Sequence, residues 1–361
     1  MKKVKSQNYF FIGAMSGTSI DGLDLVYVKF TKKNTWDFKL LASKTYSYNS
    51  NWVNKLRNAI NLSSKVLLQL DVEYSSFLAD QILTFIEDFK IDKLDGVGSH
   101  GHTVFHKPDE DFTYQIGNLP LIADKIKKPL ICDFRVQDVF LGGQGAPLVP
   151  IGDKYLFKDY DGCLNLGGFS NITIKKGTKL IAYDICALNT ILNSLANQLN
   201  LDYDVGGKQA KKGKLIDNLY RELEHIAFYK LKPPKSLGIE WVKQNIQTIL
   251  KKYSNKPVED LLCTYTTHSA NQIAKNLNNI SSVLVTGGGT YNSFLIAKIR
   301  QMTDCDIIIP STDIVNHKEA IIFAFLSVLK MRGEVNCFAS VTGSKHDHSS
   351  GKIFFPNSII D

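Results

Sequence analysis

Residues Phe10 to Phe30, FFIGAMSGTSIDGLDLVYVKF, hold the densest collection of chemically useful side chains in the chain. An apolar run ends at Gly13. Small and hydroxyl residues follow (Ser16, Gly17, Thr18, Ser19), then Asp21, Gly22 and Asp24, and an alternating run resumes from Leu23 to Phe30. Glycine admits close backbone approach, and consecutive N–H groups beside Ser/Thr hydroxyls can cradle phosphate. Carboxylates next to such a cradle suit Mg²⁺ held largely through water. A lone SGTS could equally be a polar hairpin tip, so weight falls on what accompanies it. A second apolar strand, Gly162 to Leu166, also runs into small residues, Gly167-Gly168-Phe169-Ser170-Asn171. A third, Ser281 to Thr286, runs into Gly287-Gly288-Gly289, where a nucleoside can lie against bare backbone. That triplet lacks the GxGxxG spacing of a dinucleotide turn. Asp184 follows the apolar Leu180 to Tyr183 and is expected at a strand terminus, where it can take a proton from water or a hydroxyl, or simply cap the next helix.

These groups need a scaffold, and the periodicities supply one. Two apolar runs around a tight polar turn predict a β-hairpin at Phe10–Phe30, and Trp36 to Tyr48 predicts a further strand. Helical spacing is expected over Trp52–Ala59, Tyr74–Phe89, Trp241–Lys252, Val258–Leu277, Tyr291–Met302 and Lys318–Met331, the last opening near Glu319. SHGHTVFHKP, Ser99 to Pro108, is expected as a loop after a short strand. Its His100, His102 and His106 could meet one metal ion, but no acid or cysteine lies in the segment, so polar substrate contacts are the favoured reading. His346 and His348, in a Lys/Asp/Ser stretch, read as solvated. The three glycines and two prolines of Leu141–Pro150 fit a crossing between lobes. Two hairpins of one type imply an internal relation between those lobes. The expected division is 1–140 with 317–361, and 141–316.

Composition narrows the class. At 361 residues the α/β chain exceeds one typical core. Its net charge is +8, yet lysines are spread throughout in short pairs, which marks solvated faces and argues against a nucleic-acid partner. No apolar run reaches membrane-span length. Six scattered cysteines without CxxC pairing read as buried thiols of a cytoplasmic protein.

Taken in order, GAMSGTSIDGLD, GSHGHTVFH, YQIGN, DFR, GGQGAPLVP, NLGGFSNIT, PPKS, TGGG and KEAIIFA resemble the motifs of the anhydro-N-acetylmuramic acid kinases over nearly the whole chain. The resemblance implies the two-lobed fold of sugar kinases, actin and heat-shock ATPases, with ATP in a central cleft. It further implies opening of 1,6-anhydro-N-acetylmuramic acid by water and phosphorylation of the freed 6-oxygen in cell-wall recycling. By position, Gly17, Thr18, Ser19, Asp21, Gly22 and Asp24, with Gly167, Gly168, Ser170 and Asn171, would hold phosphates, and Gly287, Gly288 and Gly289 the adenosine. Asp184 would be the base, and His100, His102, Arg135, Gln144 and Glu319 would orient the sugar. The acid that most of that superfamily places two residues before its first phosphate-loop glycine falls on Met15, which leaves Asp21 as the candidate Mg²⁺ contact. A homodimer is compatible with the resemblance. Two departures stand out. DTGPGN is Asp184-Ile185-Cys186-Ala187-Leu188-Asn189 here, without the glycines and proline, and HGQT is HGHT, with His102 at the glutamine position. Another sugar kinase on this scaffold, or a nucleotide-gated binding protein, are the competing readings.

Overall fold

The computed structural model describes residues 6–17, 19–177, 179–233 and 235–357. The chain forms two compact units, 1–156 with 317–361, and 157–316. The GGQGAPLVP segment, expected to cross between lobes, belongs to the first unit. Its backbone is tied there by Gly143 N–H to the Asp138 carbonyl (2.9 Å), Gly145 N–H to Asp138 Oδ2 (2.7 Å) and Gln144 N–H to the Thr342 carbonyl (2.8 Å).

In the first unit, β1 (Gln7–Ser16), β2 (Gly22–Lys32) and β3 (Trp36–Ser47) form an antiparallel meander. β4 (Gly96–Lys107) lies parallel to β1 on its other side, β5 (Phe112–Ile116) pairs back on β4, and β6 (Leu130–Cys132) continues the sheet in parallel. The C-terminal strand Lys352–Phe354 closes it beside β6. One face packs on the Ser64–Asp88 helix, where Leu70, Tyr74, Leu78, Ile82 and Phe85 repeat at helical spacing and are buried with Ile12, Leu25 and Val97. On β1 and β4 the Thr312–Met331 helix sits flush, because Gly13 and Gly98 leave room. A Cβ on Gly13 would stand 2.0 Å from the Ala320 carbonyl oxygen, and one on Gly98 2.1 Å from Ser327 Oγ and 2.6 Å from the Phe323 carbonyl oxygen. Gly98→Ala must push helix and sheet apart, and a loss of about 1–3 kcal/mol is expected in denaturant unfolding.

The second unit repeats the plan. β7 (Gly162–Leu166), β8 (Phe169–Lys176) and β9 (Lys179–Ala187) form an antiparallel meander, and β10 (Ser282–Thr286) and β11 (Asp306–Ile308) add in parallel beyond β7. The strand order 3-2-1-4-5 therefore occurs twice in the chain, with the first sheet extended at its edge. The Val258–Leu277 helix, with Leu261, Leu262, Tyr265, Ile273 and Leu277, covers this second sheet in one core with Ile185, Ile191 and Leu295.

Three elements outrun their sequence patterns. β4 continues through Ser99–Pro108's histidines to Lys107. It changes partner near Gly101 (φ +71°), from β1 to β5, so partners on both sides hold residues of modest strand preference extended. β9 runs past Asp184 to Ala187, because Ile185, Cys186 and Ala187 are all buried in the core that follows. The Thr312–Met331 helix starts before Lys318, which puts Glu319 in its third turn and not at its start. His348, read as solvated, is 6 % exposed.

Candidate active site

The first unit carries two groups of polar side chains along β1, β2 and β4. β1 and β2 pair Ser16 with Leu23, so residues 17–21 form the connecting loop. Ile20 N–H bonds the Gly17 carbonyl (3.2 Å) with Ile20 in the left-handed region (φ +57°), and Ser19 Oγ donates to Asp21 Oδ1 (2.7 Å). Thr18 lies outside the described residues. Gly22 is buried against Tyr46, and Asp24, half-buried, accepts from Thr45 Oγ1 (2.5 Å) with His317 Nε2 at 3.9 Å. Burial raises the Asp24 pKa, while Thr45 and His317 oppose the rise.

Below this loop a buried relay runs Tyr74 Oη to Tyr48 Oη (2.7 Å), Tyr48 Oη to Ser16 Oγ (2.8 Å), and Ser16 Oγ to His102 Nδ1 (2.9 Å). With Tyr48 donating to Ser16, the serine has its own proton for Nδ1, which leaves the His102 proton on Nε2. Burial pulls the His102 pKa down to about 4, so the ring is neutral near pH 7 and presents one N–H. His100 has the other tautomer: Nδ1–H donates to the Gly101 carbonyl (2.9 Å) and Nε2 accepts from Arg135 Nε (2.9 Å). Desolvation and the neighbouring guanidinium hold its pKa well below the ordinary value. Arg135 is fixed again by Nη1 to the Gly145 carbonyl (2.6 Å). Glu319 is open to solvent, and protein mass around it raises its pKa against the pull of Arg135 and Lys318. The Gln144 side chain is exposed on the loop that carries Gly145. His106 turns instead to Thr113 Oγ1 (3.1 Å).

In the second unit the β7–β8 turn is only Gly167-Gly168, since Phe169 to Asn171 already belong to β8. Its carbonyls receive the start of the next helix. Leu188 N–H (2.8 Å), Thr190 N–H (3.2 Å) and Thr190 Oγ1 (2.9 Å) reach the Gly168 carbonyl, and Asn189 Nδ2 reaches that of Leu166 (3.0 Å). Ser170 is buried and Asn171 pairs with Asp184 where the β8–β9 register shifts. Asp184 thus lies at a strand irregularity and does not cap the following helix, whose N-cap position is Leu188. Its backbone N–H donates to the Lys235 carbonyl (3.0 Å), and its Oδ2 accepts from Leu237 N–H (2.8 Å). Desolvation raises its pKa, against the Leu237 hydrogen bond. Gly287 adopts φ +87°, and a Cβ there would meet Asn165 Oδ1 at 2.4 Å, while Gly288 has open space and Gly289 abuts Leu166. A side chain at 287 is strained twice over, so Gly287→Ala is expected to cost about 1–3 kcal/mol in denaturant unfolding.

Sequence reasoning missed the Tyr74–Tyr48–Ser16 relay, the buried Lys318–Asp153 pair and the Lys235–Leu237 support of Asp184. Only the PPKS motif lies beside the last, and in the sequence it reads as an exposed turn with no bearing on Asp184. Among the described residues His100, His102 and His106 do not converge as metal ligands.

A sheet plan repeated in one chain, a glycine-containing hairpin at the head of each copy and a strand running into three glycines are the features expected of the class of sugar kinases, actin and heat-shock ATPases. Within that class the chain belongs to the anhydro-N-acetylmuramic acid kinase family, which it matches over residues 9–356. It is 31 % identical to the anhydro-N-acetylmuramic acid kinase of Francisella tularensis subsp. novicida, over 97 % of this chain and 100 % of that one. It is 30 % identical to the enzyme of that name from Bacillus thuringiensis subsp. konkukian (96 % and 99 %) and 31 % identical to that of Sulfurimonas denitrificans (96 % and 99 %).

Proposed function

We propose that the protein uses ATP and water to convert 1,6-anhydro-N-acetylmuramic acid into N-acetylmuramic acid 6-phosphate, with Asp184 as the general base. Asp184 carries this reading. Its carboxylate is half-buried and its pKa is raised, which strengthens it as a base. One oxygen is fixed by Leu237 N–H, and the other accepts no hydrogen bond among the described residues. Asp184 takes a proton from water as the water oxygen bonds to the anomeric carbon. The bond from that carbon to O6 breaks, and its electron pair stays on O6. O6 then bonds to the γ-phosphorus, the β–γ bridge breaks, and ADP leaves.

Gly167, Gly168, Ser170, Asn171, Gly17, Thr18, Ser19 and Gly22 are assigned to the phosphates, and Gly287 to Gly289 to the adenosine. The sugar is assigned to Arg135, His100, His102, Gln144 and Glu319. Arg135, braced by two hydrogen bonds, is pre-oriented for a carboxylate such as the lactyl group of muramic acid. Asp21 and Asp24 offer hard carboxylate oxygens, which fit Mg²⁺ bound through water. Mg²⁺ would neutralise phosphate charge there. The six described cysteines are buried thiols outside any disulfide, in keeping with a cytoplasmic location, and a homodimer is compatible with this reading.

The test is sugar-dependent ADP release, repeated in ¹⁸O-labelled water. Label on the anomeric carbon is expected. A kinase that merely phosphorylates a free hydroxyl leaves the sugar unlabelled, and a nucleotide-gated binding protein releases no ADP in response to the sugar. His102→Ala removes one neutral donor and should raise the sugar KM about 3–10-fold with kcat little changed, whereas His102→Gln, which restores an N–H, should recover most of the loss.

A further inference from the structure

The C-terminal segment brings three unlike ligating side chains together in a place the kinase reaction does not use. Cys337 and His348 face each other in an isolated antiparallel bridge, with backbone hydrogen bonds in both directions at 3.1 Å. Asp138, from the short Val136–Phe140 helix, enters between them. Cys337 Sγ is 3.1 Å and His348 Nε2 3.6 Å from Asp138 Oδ1, and all three ligand atoms lie within 4.8 Å of one another. Exposures are 0 % for Asp138, 2 % for Cys337 and 6 % for His348.

The histidine makes this more than a cluster. Its Nδ1 is 3.1 Å from the His346 carbonyl, which can only accept, so Nδ1 carries the proton. Nε2 is then a bare lone pair in the neutral ring. It is buried, has no hydrogen-bond partner, and points toward a carboxylate oxygen that can donate nothing. A ring whose far nitrogen is anchored on a carbonyl while the near one faces a thiol and a carboxylate has the arrangement of a metal-ligating histidine.

We propose that Asp138, Cys337 and His348 bind one Zn²⁺ ion. Thiolate, imidazole and carboxylate together suit a borderline-soft ion and do not suit Mg²⁺ or Ca²⁺. Zinc bond lengths in a tetrahedron put neighbouring ligand atoms about 3.4–3.6 Å apart, close to the two separations from Oδ1. Binding forms bonds from Sγ, Nε2 and Oδ1 to the ion, and the thiol proton leaves to solvent. The fourth position falls to a water or to Thr342 Oγ1, which lies 2.7 Å from Asp138 Oδ1 and 3.9 Å from Cys337 Sγ. Asp138 Oδ2 keeps Gly145 N–H, and the Gly145 carbonyl holds Arg135, so the ion would brace the loop behind Arg135 without touching substrate.

Metal-depleted full-length protein titrated with Co²⁺ gives the test. A thiolate-to-cobalt charge-transfer band with intense tetrahedral d–d bands is expected, displaced by Zn²⁺, and the protein dialysed after zinc loading should retain one equivalent per chain. Cys337→Ser should lose the charge-transfer band, and His348→Gln, which keeps the thiol, should lose retained zinc. No cobalt–thiolate band in the folded parent, with zinc retention no higher than in Cys337→Ser, overturns the site and leaves the hydrogen bond from the Cys337 thiol to Asp138 as what fills this space.

Discussion

Asp184→Asn is expected to lower sugar-dependent ADP release by about 10²–10⁴-fold, the usual contribution of a positioned general base. The substitution keeps an oxygen for Leu237 N–H, 2.8 Å away in the parent, so the side chain has no reason to move. What is lost is the capacity to accept a proton from water. ATP affinity should stay within about threefold, because no nucleotide contact is assigned to this side chain. The pH profile of the parent supplies the second half of the argument. Desolvation raises the Asp184 pKa, so the basic form disappears on acidification at a pH above the ordinary aspartate range, and kcat/KM should fall on its acid side there. Stability moves the opposite way. A carboxyl whose folded pKa is raised costs stability above that pKa and none below its unfolded value, so asparagine should leave the neutral-pH midpoint of unfolding unchanged or slightly higher. A slow but equally stable variant identifies the base. A variant as fast as the parent would remove Asp184 from the mechanism.

The two hairpins were legible because a glycine-and-hydroxyl turn between alternating apolar runs has few other solutions, and β1–β2 and β7–β8 form where that pattern lies. The strand and helix on either side of the triple glycine were legible from their apolar periodicity. Long-range packing was not. Ser99 to Lys107 looks like a loop because serine, glycine and histidine favour no strand, and it becomes β4 only because β1 lies on one side and β5 folds back on it. Asp184 was found from its apolar lead-in, yet its setting was missed. Ile185, Cys186 and Ala187 carry the strand onward once they are buried, and the hydrogen bond that orients Asp184 comes from Leu237, far along the chain. The paired histidines of β4 show the same limit. His100 and His102 are two residues apart and chemically identical, and only their partners, Arg135 and Ser16, give them opposite tautomers.

Lys318→Met should destabilise the protein by about 3–5 kcal/mol, the cost of leaving one half of a buried ion pair unpaired. Lys318 Nζ lies 2.7 Å from Asp153 Oδ1, and the side chains are 7 % and 2 % exposed. Asp153 sits on the short Pro150–Tyr155 helix, which approaches the Thr312–Met331 helix closely because Gly152 has no side chain against Ile322. The pair therefore joins the two helices beside the place where Ile322 packs over Gly152. Without the ammonium, Asp153 is left as a buried carboxylate stripped of its cation, which weakens the native state. The double variant Lys318→Met, Asp153→Leu distinguishes lost attraction from stranded charge. Apolar groups of similar volume commonly replace a buried pair at little cost, so the double variant should recover most of the stability in denaturant unfolding. Glu319 follows Lys318 on the helix, and Lys318 favours its ionised form. If the pair also sets the helix register there, the recovered double variant should still show a raised sugar KM. If it unfolds as readily as Lys318→Met alone, the stranded-charge account fails and the two side chains must instead be needed for their shape.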